Sequence, residues 1–262
     1  MTTSLRTVRA TRYLQPFRQG GSVPALVEAD DDGTYVVKLR GASQGEKVLI
    51  AELVAGEIAR AVGLAVPELV LVELDVAMAS AEPDPELCLP LERSAGLNLG
   101  LDFLPGSITY DPLVGPHPDG EVAARIVLFD AFVANVDRTA RNANLLTWHR
   151  GTWLIDHGAA LYFHHGWRPE DPLAASADPF SEVEAHVLLP MARDLRAAAA
   201  HLANLVDDAT IDRVVDLVPD AWLVADRSWA EVASHRDAYR IWLRARRDAL
   251  PRLVDEAERA RG

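Results

Sequence analysis

Residues 135–161 read NVDRTARNANLLTWHRGTWLIDHGAAL and bring three polar groups, Asp137, Asn142 and Asp156, into a mostly apolar stretch. Two apolar runs within it are separated by His149-Arg150-Gly151, a pattern that predicts a β-hairpin. Carboxylates of a soluble protein usually lie at its surface, so the simplest interpretation is a solvent-exposed hairpin. The alternative is a site that the hairpin assembles, and the rest of the chain has to distinguish the two.

The chain before residue 107 has the pattern of a small β-rich unit. Strands are predicted at residues 23–29 and 34–40, joined by Asp-Asp-Asp-Gly, which is a strong hairpin signal. A helix is predicted over residues 48–64 from the helical spacing of its apolar side chains, and Gly63 provides its stop. Further extended segments follow at residues 68–75 and 96–106.

The pattern changes after residue 107. The segment EVAARIVLFDAFVAN, residues 121–135, has one apolar helical face, and nearly everything from residue 181 onward has helical patterning. We therefore expect an α+β fold with two lobes. The first is a small β-rich N-terminal lobe at residues 1–106 with one main helix, and the second is a larger, mostly helical C-terminal lobe at residues 107–262.

Composition limits the function classes. Hydrophobic residues make up 49% and charged residues 25% of the chain, as in folded globular proteins. The net charge of −13 repels phosphate backbones and anionic lipid, so nucleic acid is not an expected partner. No apolar run approaches the roughly 20 residues that span a bilayer, and no secretory signal is present. The lone Cys88 fits a reducing compartment, so we expect a cytoplasmic protein without membrane insertion.

The order of polar groups in residues 135–161 matches a template for phosphoryl transfer. Asp137 is followed after four residues by Asn142, and Asp156 opens an Asp-His-Gly triplet. In the template an Asp serves as base for the acceptor hydroxyl, an Asn five positions later binds a metal, and the Asp of an Asp-x-Gly holds Mg²⁺. Mg²⁺ is usually held by one or two protein oxygens together with nucleotide phosphates, and a hairpin can bring Asn142 and Asp156 together for this purpose.

The template also requires a lysine on a strand, paired with a glutamate on a helix. Lys38 lies inside the apolar run YVVKLRG, and Glu52 and Glu57 lie on the predicted helix that follows. A buried ammonium without an acidic partner would lose its proton, so either glutamate could be the partner. The alternative is that Lys38 points to solvent from an alternating strand.

These segments resemble the HipA-like kinases, a bacterial branch of atypical Ser/Thr protein kinases that are similar to phosphoinositide kinases. The resemblance is carried by YVVKLRG, AELVAGEIARAVGLAVPEL, NVDRTARNANLL and LIDHGAAL, and it covers about residues 20–162. It implies a bilobal protein-kinase-like fold whose N-terminal lobe binds the nucleotide and whose C-terminal lobe is catalytic. The triplet is Asp-His-Gly rather than Asp-Phe-Gly, and neither this change nor Asn135 before the Val-Asp pair removes a metal ligand.

The resemblance also implies roles for individual residues. Lys38 would bind ATP phosphates with Glu52 as its ion-pair partner, and Glu57 is the second choice. Asp137 would orient or deprotonate the acceptor hydroxyl, and Asn142 and Asp156 would bind Mg²⁺. Arg138 would act on the γ-phosphate, with a structural salt bridge as the alternative. The nucleotide-binding set would be Gly20, Gly21, Ser22, Lys38, Ser43, Leu101, Asp102 and Phe103.

Two parts of the nucleotide-binding set correspond to a phosphate-covering loop and to a hinge between the lobes. Gly20, Gly21 and Ser22 lie where a phosphate-covering loop is expected, while the loop GASQGEK could serve instead through Ser43, Gln44 and Lys47. Residues 99–104 resemble the hinge whose backbone meets the adenine. The chain is shorter than full-length HipA toxins, and the resemblance does not extend to their extra N-terminal domain, so it does not by itself imply a toxin–antitoxin partnership or DNA recruitment.

We therefore expect an ATP- and Mg²⁺-dependent kinase that phosphorylates a hydroxyl acceptor. The resemblance favours a protein Ser or Thr, with a small-molecule or lipid hydroxyl as the alternative. One alternative is a nucleotide-binding pseudokinase or interaction module. Another is a metal-dependent hydrolase, because four histidines lie close to Asp156 in sequence, namely His149, His157, His164 and His165. Trp229, Tyr239 and Trp242 are expected to pack in the core of the larger lobe, with a partner-binding face as the alternative.

Overall fold

A closed five-stranded barrel forms the first part of the molecule. The structure, a computed structural model, describes residues 4–16, 24–42, 45–82 and 84–262. The strands follow the order β1-β2-β3-β5-β4, with parallel pairing of β1 and β4 closing the barrel and antiparallel pairing elsewhere. Their bounds are β1 Thr7–Pro16, β2 Ala25–Ala29, β3 Thr34–Lys38, β4 Leu69–Leu74 and β5 Gly96–Asp102.

Strand β1 was not predicted from the sequence, although it closes the barrel. Val8 and Ala10 point into the interior, whereas Thr7, Arg9 and Arg12 are exposed. The inward-facing apolar side chains are few, so the alternating signal is weak. The two strands predicted on either side of the Asp-Asp-Asp-Gly turn are confirmed as β2 and β3, each two residues shorter than expected.

Helix α1, Glu46–Ala61, follows β3 and is almost completely buried. Leu49, Leu53 and Ile58 are each at most 1% exposed, and they belong to the main core together with residues of the later helices. Gly63 has φ of +74, a backbone conformation that favours glycine and that ends the helix as the sequence predicts. Between β4 and β5 the structure adds a 3₁₀ helix, Val76–Ala81, and helix α2, Pro85–Arg93, which the sequence analysis did not predict.

A three-stranded antiparallel sheet and helix α3 begin the second part of the molecule. The predicted hairpin is confirmed as β7, Leu145–Trp148, and β8, Gly151–Leu154, while β6, Ile108–Thr109, adds a third strand. His149 and Arg150 both have positive φ, as a two-residue hairpin turn requires. Helix α3, Gly120–Phe132, is the predicted apolar helix, and the side chain of Asp119 caps it.

The remaining helices complete the core. They are α4 Leu195–Leu205, α5 Asp208–Asp216, α6 Asp220–Val224, α7 Val232–Asp248 and α8 Leu250–Arg261. Two of them, α4 and α8, pack against α3, whereas α5 and α6 pack against α1 and α7. Tyr239 and Trp242 are fully buried and Trp229 packs against the same core, so the predicted core role is confirmed. The fold contains both helices and strands and is α+β. In the part of the chain that the structure describes, no helix combines the length and apolar character needed to cross a membrane.

Candidate active site

Lys38 is buried at the end of β3 and contacts two carboxylates. Its side-chain ammonium donates a hydrogen bond to Oδ1 of Asp156 and lies 3.6 Å from Oε2 of Glu52. Lys38 is 6% exposed, so the solvent-facing alternative is wrong. Burial alone would lower the pKa of Lys38, but the charges of Glu52 and Asp156 outweigh burial and raise the pKa. Lys38 therefore stays protonated at neutral pH.

Glu52, rather than Glu57, pairs with Lys38. Glu52 is completely buried, and its carboxylate lies between the Lys38 ammonium and the ring of His157, whose Nδ1 is 3.3 Å from Oε1. Burial would raise the pKa of Glu52, yet Lys38 and His157 lower it to about 2. Glu57 instead contacts Arg60 at 3.4 Å on the same helix. Helix α1 thus fixes a charged carboxylate at the base of the site.

Asp137 and Asn142 lie on one loop between α3 and β7 and are hydrogen-bonded to each other. Nδ2 of Asn142 donates to Oδ2 of Asp137 at 2.7 Å, and Nδ2 of Asn144 approaches the same oxygen at 3.3 Å. A turn closed by backbone hydrogen bonds between Thr139 and Asn142 sets this geometry. Among the described residues, Oδ1 of Asp137 and Oδ1 of Asn142 have no hydrogen-bond donor. Each residue therefore keeps one oxygen for a ligand.

Arg138 does not point toward a ligand site. It is 1% exposed, and its guanidinium donates to both carboxylate oxygens of Asp130 on α3 and to the backbone carbonyls of Ala143 and Asn144. A guanidinium with these partners has no surface left for a γ-phosphate. The structure contradicts the expected contact of Arg138 with phosphate and favours the alternative, a structural salt bridge that holds the loop.

Asp130 and His186 support the loop and were missed in the sequence analysis. Asp130 is completely buried and also accepts hydrogen bonds from Asn135 at 2.8 Å and from Nε2 of His186 at 3.0 Å. Burial would raise the pKa of Asp130, but Arg138 and His186 lower it, so the carboxylate is ionised. The available signal for Asp130 was a carboxylate inside the apolar helical run LFDAF. His186 has no comparable signal, because it lies in an irregular segment.

Asp156 lies just after β8 in a left-handed conformation, with φ of +57. The backbone N–H of Ile155 donates to the carbonyl of Asn144, which joins the end of the hairpin to the Asp137 loop. Asp156 and Asn142 line one cleft of about 670 Å³, a volume within the usual range for small-ligand sites. Lys38 contacts Asp156 across 118 positions of sequence, so folding brings the ammonium and the expected metal ligands together.

Several expected nucleotide contacts lie outside the described residues, namely Gly20, Gly21, Ser22, Ser43 and Gln44. Lys47, the described member of the alternative phosphate loop, is directed elsewhere. Its ammonium donates to the carbonyl of His164 at 2.6 Å and lies 2.8 Å from Oδ2 of Asp226. A contact between Lys47 and phosphate would require both interactions to break.

The expected hinge residues Leu101, Asp102 and Phe103 lie at the end of β5, as the sequence indicates. Leu101 is buried and pairs with both neighbouring strands. The backbone N–H groups of Asp102 and Phe103 donate to the carbonyls of Glu68 and Thr34, each at 2.9 Å. These two donors are therefore committed to the barrel, and an adenine contact through this segment stays a prediction that depends on its other backbone groups.

The histidines near Asp156 do not form a metal site of their own. His157 contacts Glu52, and Nδ1 of the buried His164 lies 3.1 Å from the hydroxyl of Tyr239. Across residues 4–16, 24–42, 45–82 and 84–262, no three His, Cys, Asp or Glu side chains are grouped to hold a metal ion. The metal site that a metal-dependent hydrolase would need is therefore not supported in this part of the chain.

The chain is a kinase, a phosphotransferase, because the family model described as HipA-like kinase matches residues 11–248. It belongs to the HipA-like kinase family. A separate search of curated proteins found no match to the sequence.

Solved kinase structures share the fold. The proinflammatory kinase CtkA of Helicobacter pylori is 14% identical with a TM-score of 0.59, and the alignment covers 98% of this chain and 98% of that chain. A Golgi casein kinase, solved with Mn and ADP bound, is 12% identical with a TM-score of 0.50, and the alignment covers 97% of this chain and 74% of that chain. At these identities the likeness concerns the fold alone.

Proposed function

We propose that this kinase transfers the γ-phosphate of ATP, in the presence of Mg²⁺, to a hydroxyl group of a protein Ser or Thr. The observation that carries the proposal is the convergence of Lys38, Glu52 and Asp156, three residues from separate elements, beside the loop of Asp137 and Asn142. Burying an ammonium with two carboxylates costs desolvation energy, and charged groups arranged in this way beside a cleft are typical of functional sites. We also propose the bilobal division, with residues 1–106 binding the nucleotide and residues 107–262 supplying the loop.

The oxygens of Asn142 and Asp156 fit a magnesium ion. The side-chain N–H of Asn142 donates a hydrogen bond to Asp137. The side-chain oxygen of Asn142 is therefore the atom available as a metal ligand. Asp156 contributes a carboxylate that is about one-third exposed and lines the same cleft. Mg²⁺ prefers such oxygens and completes its shell with water and phosphate, so two protein ligands suffice. When bound, the ion would neutralise charge on the transferred phosphate.

The remaining residues have separate tasks in the transfer. Lys38 binds the α- and β-phosphates, and Glu52 keeps its ammonium in place. Asp137 accepts the proton of the acceptor hydroxyl through Oδ1, because Oδ2 is already held by Asn142 and Asn144. The acceptor oxygen forms a bond to the γ-phosphorus while the bond from that phosphorus to the β–γ bridging oxygen breaks, and ADP leaves.

A protein acceptor is supported by membership in the HipA-like kinase family and by a structural neighbour named for casein, which is a protein. Mn and ADP in that neighbour support the use of a nucleotide and a divalent metal. A small-molecule or lipid hydroxyl is the competing acceptor. Incubation with radiolabelled ATP and separate protein and lipid fractions distinguishes the acceptors by where the label appears.

The first test is thermal unfolding with ATP and Mg²⁺. A ligand at a hundredfold over its dissociation constant adds about 2.7 kcal/mol to stability, so a clear rise in Tm is expected. Asp156→Ala should remove the magnesium-dependent part of the rise, because it deletes a metal ligand. Glu170→Ala is the matched control, since Glu170 is an exposed carboxylate outside the cleft. If ATP with Mg²⁺ leaves Tm unchanged, the proposed function fails.

The second test separates catalysis from binding. Transfer of radiolabelled γ-phosphate to an acceptor, or to the protein itself, is expected from the wild type and not from Asp137→Asn, which lacks the proton-accepting carboxylate. A wild type that binds ATP and Mg²⁺ but releases no label would instead be a pseudokinase.

A further inference from the structure

We propose that Arg141 supplies the second positive charge of the phosphate site and contacts the γ-phosphate that is transferred. The proposal rests on the proposed function and assigns to Arg141 the role that the sequence pattern had suggested for Arg138.

The site has a shortage of positive charge. The chain contains two lysines, Lys38 and Lys47, within a net charge of −13. Lys38 already faces Glu52 and Asp156, and Lys47 is paired with Asp226. A nucleoside triphosphate brings about four negative charges, and one Mg²⁺ with one ammonium cannot balance these together with the nearby carboxylates. A further arginine at the cleft would offset part of the remaining negative charge.

Arg138 is excluded as that cation because its guanidinium is buried against Asp130. Arg141 lies three residues further along the same loop, directly before Asn142, and its side chain is exposed. It lines the same cleft as Asn142 and Asp156. Among the residues that the structure describes, its guanidinium has no salt bridge and no hydrogen bond. An uncommitted guanidinium can bind two phosphate oxygens at once, which favours phosphate over a single carboxylate.

The position of Arg141 favours the γ-phosphate over the α- and β-phosphates. Arg141 lies on the loop with Asp137, the proposed base, so it belongs to the acceptor side of the reaction, whereas Lys38 comes from the barrel. During transfer the bond to the leaving ADP breaks, the acceptor oxygen bonds to phosphorus, and negative charge lies on the three equatorial oxygens of the phosphoryl group. A guanidinium on these oxygens stabilises the transition state more than it stabilises bound ADP.

The experiment compares Arg141→Ala, Arg141→Lys and the control Arg252→Ala, which removes an exposed arginine on α8, away from the cleft. Dissociation constants for Mg-ATP and Mg-ADP are measured by calorimetry, and transfer is followed with radiolabelled ATP and the protein or water as acceptor. Arg141→Ala should weaken ATP binding about tenfold or more, since it removes hydrogen bonds to a charged group, and should leave ADP binding within about twofold. The transfer rate should fall about a hundredfold or more, and Arg141→Lys should recover part of it.

Each other outcome overturns the inference. If Arg141→Ala weakens ATP and ADP equally, the residue does not contact the γ-phosphate. If it raises only the KM for an acceptor, the residue binds the acceptor instead. If ATP binding and transfer match those of Arg252→Ala, Arg141 has no role at the site, while the proposed function stands. If the wild type itself binds no nucleotide, the proposed function fails together with the inference.

Discussion

Asp130 is the residue on which the geometry of the Asp137 loop depends. Its carboxylate accepts hydrogen bonds from Asn135 and Arg138 on the loop and from His186 on a later segment. The backbone N–H of Val187 also donates to the carbonyl of Arg138, which fastens the same segment to the loop. The loop that carries Asp137 and Asn142 is therefore stabilised by the buried ion pair of Asp130 and Arg138 as well as by its own turn.

Arg138→Met should lower the free energy of unfolding by about 3–5 kcal/mol, because it leaves the buried carboxylate of Asp130 without its main partner. Urea unfolding measures this loss. Arg252→Ala is the control and should change stability by no more than about 0.5 kcal/mol, since its side chain is exposed. A variant with Arg138→Met that keeps wild-type stability but loses phosphate transfer would return Arg138 to the catalytic role.

At this scale the sequence singled out the side chains proposed to act on a ligand more readily than the side chains that support them. Lys38, Asp137, Asn142 and Asp156 were singled out because the proposed chemistry imposes a residue pattern. The supporting contacts of Asp130 depend on where helix α3 and a distant irregular segment meet, and no local spacing encodes that meeting. Arg138 was misassigned for the same reason, since its neighbour in sequence is Asp137 but its partner in space is Asp130.

Helix α1 and the Asp-His-Gly triplet come into close contact at a glycine. A Cβ atom placed on Gly158 would lie 2.7 Å from Cγ1 of Val48 on α1, well inside van der Waals contact, and 3.7 Å from Oε2 of Glu52. The glycine therefore allows α1 to bring Glu52 against Lys38 and Asp156. This gives a packing reason for glycine at the third position of the triplet.

Gly158→Ala should reduce nucleotide binding and transfer, because the added methyl group pushes α1, and Glu52 with it, away from Lys38. Overpacking of this kind typically costs about 1–3 kcal/mol of stability. The double variant Val48→Ala/Gly158→Ala restores the space and should recover both binding and transfer. The measurements are Tm and radiolabelled transfer for the two variants and for Val48→Ala alone. Equal loss of transfer in the single and double variants would show that close packing is not the reason for the glycine.

Elements were predicted well where one local signal was strong. Helix α1, helix α3 and the two hairpins follow from apolar spacing and turn residues. Strand β1 was missed because it is an exposed strand with few inward side chains, and its pairing with β4 joins segments about 60 residues apart. The insertion of α2 between β4 and β5 was missed because PELCLPLER contains two prolines, which argue against a helix locally.

Histidines and aromatic rings join the first and second parts of the molecule beside the start of α1. The backbone carbonyl of His164 accepts a hydrogen bond from the Lys47 ammonium, and the ring of His164 lies beside the hydroxyl of Tyr239 on α7. The ring of His235 stacks on Trp229 with centroids 4.7 Å apart. In the described part of the chain, the Nε2 atoms of His164 and His235 are buried without a hydrogen-bond partner. Burial lowers the pKa of both His164 and His235, and Lys47 adds to this effect, while Asp226 opposes it. Both rings are therefore neutral in the folded protein at pH 7.

The whole molecule should therefore lose stability as the pH falls below about 6.5, the pKa of histidine in an unfolded chain. Below that pH the unfolded chain binds protons that folded His164 and His235 exclude, so each histidine removes up to about 1.4 kcal/mol per pH unit until its folded pKa is reached. Glu52 and Asp130, whose pKa values are lowered, lose their contributions only at more acidic pH, below about 4.3. Tm measured from pH 7.5 to pH 5.5 should decline, with about 2–4 °C for each kcal/mol. His164→Gln should make the decline shallower, whereas His149→Gln, which changes an exposed ring on the hairpin turn, should keep the wild-type slope. If His164→Gln declines as steeply as the wild type, protonation of this cluster is not what sets acid stability.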